Sequence, residues 1–366
     1  MQFVLVGLVA WIGCGDPPKP LGVWMPGDVH VHSSLGSNDT DGEGLPEVLG
    51  AAMERAGLEW LVLTDHSNSA GSMHCDDVED CPNLGPEIVE APWPDGVYMG
   101  SEISLIEDLA ETLVPNGHIG CIAKNGYAFE GRETFQDRPA GSLEGADAVA
   151  QCHEAGGWAI INHPYSPAGW MAYDWSSETF EGIEVYNGGA RFDAWDSQGL
   201  SAWEERVADG RDLVPVGGSD CHRWAVEAPG EGLLDPALGY PTTWVQVRDG
   251  ESPVDALLAG RVVIAEPGTT LEFWAVSRTY SVGPGESTAG EVTLNVRSTV
   301  ETEARVLELR EVGGDVIERV SMAGGTGSIS VSVGTGTYYA RVWPEFLDPN
   351  LDEAGIALTA AIRVKP

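Results

Sequence analysis

The sequence predicts an α/β barrel followed by a small all-β sandwich, and three observations carry that prediction. From residue 22 to about 268, short apolar runs alternate with helix-like segments. Most of those runs carry His, Asp or Glu at their carboxyl ends, the rim on which βα barrels assemble active sites. From about 269 the helical periodicity disappears, Gly and Thr rise, and short alternating runs take over. An open doubly wound sheet is the alternative, but no G-x-G-x-x-G follows the first strand and there is no P-loop. The expected division is 1–22 as leader and Pro-rich linker, 23–268 as barrel, and 269–366 as sandwich.

Composition narrows the function classes. The 366 residues suffice for a large domain with a smaller companion. Hydrophobic content of 43% and charged content of 21% are ordinary for a globular chain, but the net charge of -38 is not. Such a surface repels phosphate backbones and anionic lipid, while a bound cation would sit in a favourable field. The expected partner is therefore a small-molecule substrate and no nucleic acid. Nothing in the sequence sets an oligomeric state.

At the amino end, residues 1–13 are apolar, too short to span a bilayer, and followed by Cys14 and a Pro-rich stretch. This resembles a bacterial lipoprotein signal with lipidation at Cys14, so export to the cell envelope, or secretion, is expected. Membrane contact would then come only through that anchor. Cys75 and Cys81 flank an acidic loop and suit a local disulfide in an oxidising compartment. Cys121 and Cys152 are a second possible pair that spacing does not decide, and Cys221 reads as an unbridged, buried thiol.

The first barrel strand ends in DVHVH, where alternation puts Asp28, His30 and His32 on one face and Val29 and Val31 on the other. A helix over 46–56 follows, with Val48, Leu49, Ala52, Met53 and Ala56 on one side and Gly57 as its stop. LEWLVLTDH is a buried strand ending in Asp65 and His66, and 67–96 is a long loop. GVYMGSEIS ends near Glu102, whereas GHIGCIA begins at His118. Ser142 is placed to cap a helix over 143–155. WAIINHP leads to His163, and FEGIEVYNG leads to Glu184 and Asn187. A helix over about 193–209 precedes DLVPVGGSDCH, which ends in Asp220 and His222. PTTWVQV, a helix around 253–259 and RVVIAE complete the barrel series. Six or seven short strands then make the sandwich.

Imidazole is the commonest protein ligand for transition metals, and a short HxH converges two rings on one ion. Six of the 8 histidines sit in such settings. His74 reads as a surface residue and His153 as a partner of its helix dipole. Glu184 is open between a buried strand carboxylate and an outer support. Asn187, Arg191 and Arg223 fall near rim loops as candidate substrate contacts.

Taken in order, DVHVH, TDH, GSEIS, GH, NHP and GGSDCH resemble the PHP (polymerase and histidinol phosphatase) superfamily of metal-dependent hydrolases. EVYNG, the PTTW segment, the LLAGRVVIAEPG run and a carboxyl-terminal β domain resemble its CehA/McbA-like branch. The resemblance implies a distorted (β/α) TIM-like barrel and two or three divalent ions, Zn, Mn or Fe. His30, His32 and Asp220 would hold the first ion, and Glu102 would bridge to a second held by His118 and His163. His66 and His222 would complete a third site, with Asp39 or Asp41 as substitute ligand, or serve as catalytic proton donors. Asp65 would orient His66 from behind, with Asp28 in a similar part. The implied reaction is attack by a metal-bound hydroxide on an ester, amide or carbamate bond. A metal-dependent phosphoesterase and a non-catalytic metal- or ligand-binding surface protein stay open as alternatives.

Overall fold

The computed structural model describes residues 20, 22–37, 40, 42–66, 91–105, 117–124, 126, 145–165, 179–188, 192–224, 236–278, 280–301, 305–345 and 356–366. Cys14, Asp39, Asp41, His74, Cys75, Cys81, Ser142 and Arg191 lie outside the described residues. The chain forms a mixed α/β fold: a distorted TIM-like barrel joined to a small β-sandwich.

The barrel wall is β1 (Val23–Val31), β2 (Trp60–Leu63), β3 (Val97–Leu105), β4 (Gly117–Ala123), β5 (Gly157–Asn162), β6 (Gly182–Asn187) and β7 (Val214–Gly218), paired in that order. A parallel bridge from Val31 to Cys221 closes the ring. There the His32 amide donates to the Cys221 carbonyl at 3.0 Å and the Asp220 amide to the His30 carbonyl at 2.8 Å. Strands buried on both faces read as continuous apolar runs, and β2 and β5 are buried throughout. Val29 and Val31 pack into the core, as the alternation of β1 requires.

The distortion lies in β4. It runs antiparallel to both β3 and β5, pairing Ser104 with His118 and His118 with Asn162. Its amino end is therefore at the rim where its neighbours have their carboxyl ends. A strand that begins with its histidine thus delivers it to the same place as strands that end with theirs. A second departure is at β8 (Thr242–Val247) and β9 (Val262–Ala265), which leave the barrel. The strand β8 pairs antiparallel with the first half of β1, Val23 to Gly27, and β9 pairs with β8. Only the second half of β1 faces β7.

Helix α1 (Pro46–Ala56) ends at Gly57, whose left-handed φ of 71° lets its amide reach back to the last turn. Leu49, Ala52 and Met53 are its buried stripe; Val48, at the edge of that stripe, is exposed. Helix α2 (Gly145–Glu154) is tied to β4 by the Cys121–Cys152 disulfide, 31 residues apart. Helix α3 (Ala194–Ala208) starts on an Asp193–Asp196 capping box, and α4 (Pro253–Leu258) on one from Ser252 to Asp255. No helix among the described residues is long and apolar enough to cross a membrane.

From Thr269 onward the described residues form ten strands rather than six or seven. Four form a separate antiparallel sheet, while the others continue the barrel sheet through the strand Ala357–Thr359, which pairs with β9. Leu271, Phe273, Leu294, Val296, Leu309 and Val342 make a core between the two layers. Tyr339 and Trp343 of the strand Gly336–Pro344 turn the other way, onto Trp203 and Phe192 of the barrel.

Candidate metal centre

Glu102, on β3, is buried at the middle of the barrel mouth with five imidazoles around it. Its Oε1 lies 2.9 Å from His118 Nδ1, 3.1 Å from His30 Nε2 and 3.2 Å from His163 Nε2. Its Oε2 lies 3.2 Å from His66 Nδ1 and 3.6 Å from His32 Nε2. Asn162, one residue before His163, donates to Oε1 at 2.9 Å. Asp220 covers the opening: Oδ1 is 3.3 Å from His30 Nε2, 3.2 Å from His32 Nε2 and 3.7 Å from His222 Nδ1. The ring of His222 stacks on that of His32 with centroids 4.0 Å apart.

Four triads have donor atoms within 4.8 Å of one another: His30–His32–Asp220, His66–Glu102–His118, His30–His163–Glu184 and His32–His66–His222. All six motif histidines, with Glu102 and Asp220, thus meet in one cup. Among the described residues, the third donor beside His66 and His222 is His32.

The donor geometry suits a small divalent cation. Two nitrogens bound to one tetrahedral ion at ~2.1 Å sit ~3.4 Å apart, and His30 Nε2 and His32 Nε2 are 3.1 Å apart. Each ring is anchored by its other nitrogen. His30 Nδ1 faces Glu184 Oε1 at 3.1 Å, and His32 Nδ1 faces Ser37 Oγ at 3.0 Å. Ser37 has a single hydroxyl proton, which it donates to Asp65 at 2.9 Å, so it accepts from His32. Both Nδ1 atoms therefore carry a proton, and the two Nε2 atoms face each other and the carboxylates of Glu102 and Asp220. That arrangement is repulsive until a cation or proton stands between them.

The electrostatics of the protein groups agree. Burial pushes the Glu102 carboxyl up, but His118 and His30 override it and hold it well below the usual carboxylate range. Asp220 is lowered in the same way, its burial outweighed by His30 and His32. Burial disfavours charge on His30, yet Asp220, Glu102 and Glu184 raise it well above its ordinary value. For His32 burial wins, helped by His222, and its value falls to about 3. His118 falls to about 4 by burial.

The backbone is bent to make this site. Among the described residues, the non-glycines at positive φ are His163, at 25°, and Asp220, at 55°. Such positions cost on the order of 1–3 kcal/mol each and persist where surroundings enforce them. Glu184 accepts the His163 amide at 2.7 Å, and the His30 carbonyl accepts that of Asp220.

The remaining predicted residues fall as follows. Asp65 is buried and accepts from the Ser33 amide at 2.5 Å and hydroxyl at 2.6 Å, besides Ser37. Its route into the cup runs through Ser37 to His32. Asp28 accepts the amides of Ser219 and Gly239 at 3.0 and 2.8 Å, which pins strand ends together. The Asn187 amide nitrogen turns to Glu184 at 3.1 Å and Asp220 at 3.5 Å. Arg223 is exposed beside His222. His153, expected to serve its helix end, pairs with Glu181 at 2.9 Å. Cys221 is buried and outside any disulfide. Sequence reasoning missed Ser37 and Asn162; the latter was readable as the neighbour of His163, whereas nothing local marks Ser37.

No protein-family model matches the chain, and no curated protein matches it in sequence. Among solved structures it is similar to Endonuclease Q in complex with a 27-mer duplex substrate with an abasic lesion at the active site. That match has 14% identity and a TM-score of 0.40, and covers 64% of this chain and 56% of the other. An amidohydrolase from Chromobacterium violaceum with bound sulfate and no metal matches at 17% identity and a TM-score of 0.32, covering 57% and 92%. The C-terminal domain of wzt matches at 13% identity and a TM-score of 0.19, covering 28% and 77%. The chain thus spans little more than half the length of the Endonuclease Q chain, and these likenesses concern fold alone.

One expectation is corrected here. The net charge of -38 points away from nucleic acid, but the Endonuclease Q to which the chain is similar is in complex with a 27-mer duplex carrying an abasic lesion, which opposes that exclusion. The physical reason is that net charge sums a whole surface, whereas phosphate is held by the local field, which bound cations can invert. The barrel mouth thus gathers buried histidines and carboxylates in clusters that could hold divalent metal ions.

Proposed function

We propose that this protein is a metal-dependent hydrolase of the CehA/McbA-like kind, cleaving an ester, amide or carbamate bond. The observation that carries the reading is Glu102, one buried carboxylate within reach of five imidazoles. His30, His32 and Asp220 would hold one divalent ion; Glu102, His118 and His163 would hold a second, with Glu102 between them. When bound, such ions supply a nucleophilic water at neutral pH and polarise the bond under attack. Asn162 keeps Glu102 aimed, and Ser37, backed by Asp65, keeps His32 aimed. His222, part-exposed at the opening, would hand a proton to the leaving group, and His66 would be its deeper counterpart. Residues 23–268 would be the catalytic unit and 269–366 an accessory β domain.

The choice of bond rests on cations. Lys19, Lys124 and Lys365 lie outside the metal-ligand motifs, and among the described residues the cation adjoining one of those motifs is Arg223. A phosphomonoester usually meets more positive clamps than that. The test is a substrate panel on the full chain supplied with Mn, Zn or Fe: p-nitrophenyl acetate, a naphthyl carbamate, p-nitrophenyl phosphate and a duplex with an abasic site. Turnover of acetate or carbamate is expected. Activity confined to the phosphate substrates would replace the bond class, and metal uptake without any turnover would make the protein a binder.

Export with a lipid anchor on Cys14 is proposed on the leader's pattern and supported by the Cys121–Cys152 disulfide, which belongs to oxidising compartments. Mass spectrometry of the mature amino end should find a lipidated Cys14; an intact Met1 in membrane-free extract would reject it.

A further inference from the structure

We propose that Glu184 is the positioning residue of the cup, a single carboxylate that fixes one ligand of each metal subsite; the inference rests on the metal-binding reading above. It sits on β6, where the pairing with β7 shifts register between Glu184 and Tyr186. Bulges of this kind re-aim a side chain, and here the carboxylate enters the barrel interior, where it is 2% exposed. It accepts three hydrogen bonds from three segments. His30 Nδ1 on β1 is 3.1 Å from Oε1; the His163 amide at the end of β5 is 2.7 Å from Oε2; Asn187 Nδ2 is 3.1 Å from Oε2. Room for it depends on Gly218 of β7, where a Cβ would stand 2.7 Å from Oε1.

These contacts do two separate things. On His30 the carboxylate keeps the proton on Nδ1 and leaves Nε2 bare, which a metal ligand needs. On His163 it holds the amide of a residue whose φ of 25° is otherwise unfavourable, and so sets where that ring points. The first ring belongs to the subsite with His32 and Asp220, the second to the subsite with Glu102 and His118. A bystander carboxylate filling space would be replaced by an isosteric amide at little cost. A carboxylate acting as described would not, because Gln offers one acceptor atom where two are used. With its oxygen toward His163 and Asn187, its NH2 meets His30 Nδ1 and forces the proton onto Nε2. With its oxygen toward His30, its NH2 meets the His163 N–H.

The experiment titrates the full-length wild type and Glu184→Gln with Zn(II) and Co(II), reading stoichiometry, affinity and the Co(II) visible spectrum. Loss of an outer carboxylate typically weakens metal binding by roughly 10–100-fold, and that loss with an altered spectrum is expected for Glu184→Gln. In parallel, ring-15N-histidine spectra of the Zn(II)-loaded wild type should show His30 protonated on Nδ1, which requires no variant to fold. A folded Glu184→Gln protein with wild-type affinity and spectrum overturns the inference, as does a His30 ring protonated on Nε2. A wild type that takes up no metal overturns the reading beneath it instead.

Discussion

Gly218 offers a severe test of the site because the perturbation is one methyl group and its consequence can be worked from distances. A Cβ at Gly218 would stand 2.3 Å from His30 Cβ and 2.7 Å from Glu184 Oε1. Carbon atoms rest at about 3.5 Å or more, so His30 would have to move by about 1.2 Å. It has little freedom to do so: its backbone carbonyl accepts from Asp220, its amide donates to Asp28, and both neighbours on β1 are core. Overpacking of this kind costs about 1–3 kcal/mol of stability, which a chain of this size should survive. Function is more exposed, because displacing a reacting group by about 1 Å costs ~10²-fold. Gly218→Ala is therefore expected to fold, with its unfolding midpoint modestly lowered, while metal affinity and any hydrolytic turnover fall by about 10²-fold. The assay pairs chemical denaturation with metal titration on the same preparation. A Gly218→Ala protein that keeps wild-type metal affinity would refute the claim that His30 is fixed against β7 in a binding geometry.

Two further outcomes follow from the same contacts. Glu102→Gln should lower the metal content to at most one ion per chain by elemental analysis, and should destabilise the metal-free fold by about 3–5 kcal/mol, the usual cost of breaking a buried ion pair; two ions retained would remove Glu102 from the centre. Asp28 gives a pH signature: burial raises its carboxyl to about 6 against its hydrogen bonds to Ser219, Gly239 and His30. The folded state then holds that proton more tightly than the unfolded chain, so this contribution is complete below about 4 and is lost as pH rises through about 6. Relative to a non-titrating Asp28→Asn variant, metal-free wild type should lose up to about 3 kcal/mol between pH 4 and pH 7. Urea denaturation at both pH values reads the difference, and a flat or rising one would show that the carboxyl is not burial-dominated.

Several parts of this protein were legible along the chain because they are local. The HxH alternation at the end of β1, the histidine-bearing strand ends and the stop at Gly57 are each set by a few neighbouring residues. The same holds for the change of texture near Thr269, since a loss of 3.6-residue periodicity needs no partner to be seen. The gathering of six imidazoles with Glu102 and Asp220 into one place was foreseeable only as a set, through their order.

Tertiary structure decided what depends on pairing between distant segments. Strand direction leaves no mark in a run such as GHIGCIA, yet the antiparallel course of β4 is what brings His118 to the rim. Nothing in PTTWVQV says that β8 would pair with the outer half of β1 and lead the sheet into the sandwich. The supports of the cup are of this kind too: Glu184 meets His30 across 154 positions, and Asp65 meets Ser37 across 28. Periodicity is written by the residues of one segment, whereas the nitrogen of a histidine that is left bare is chosen by whichever acceptor the fold packs behind the ring.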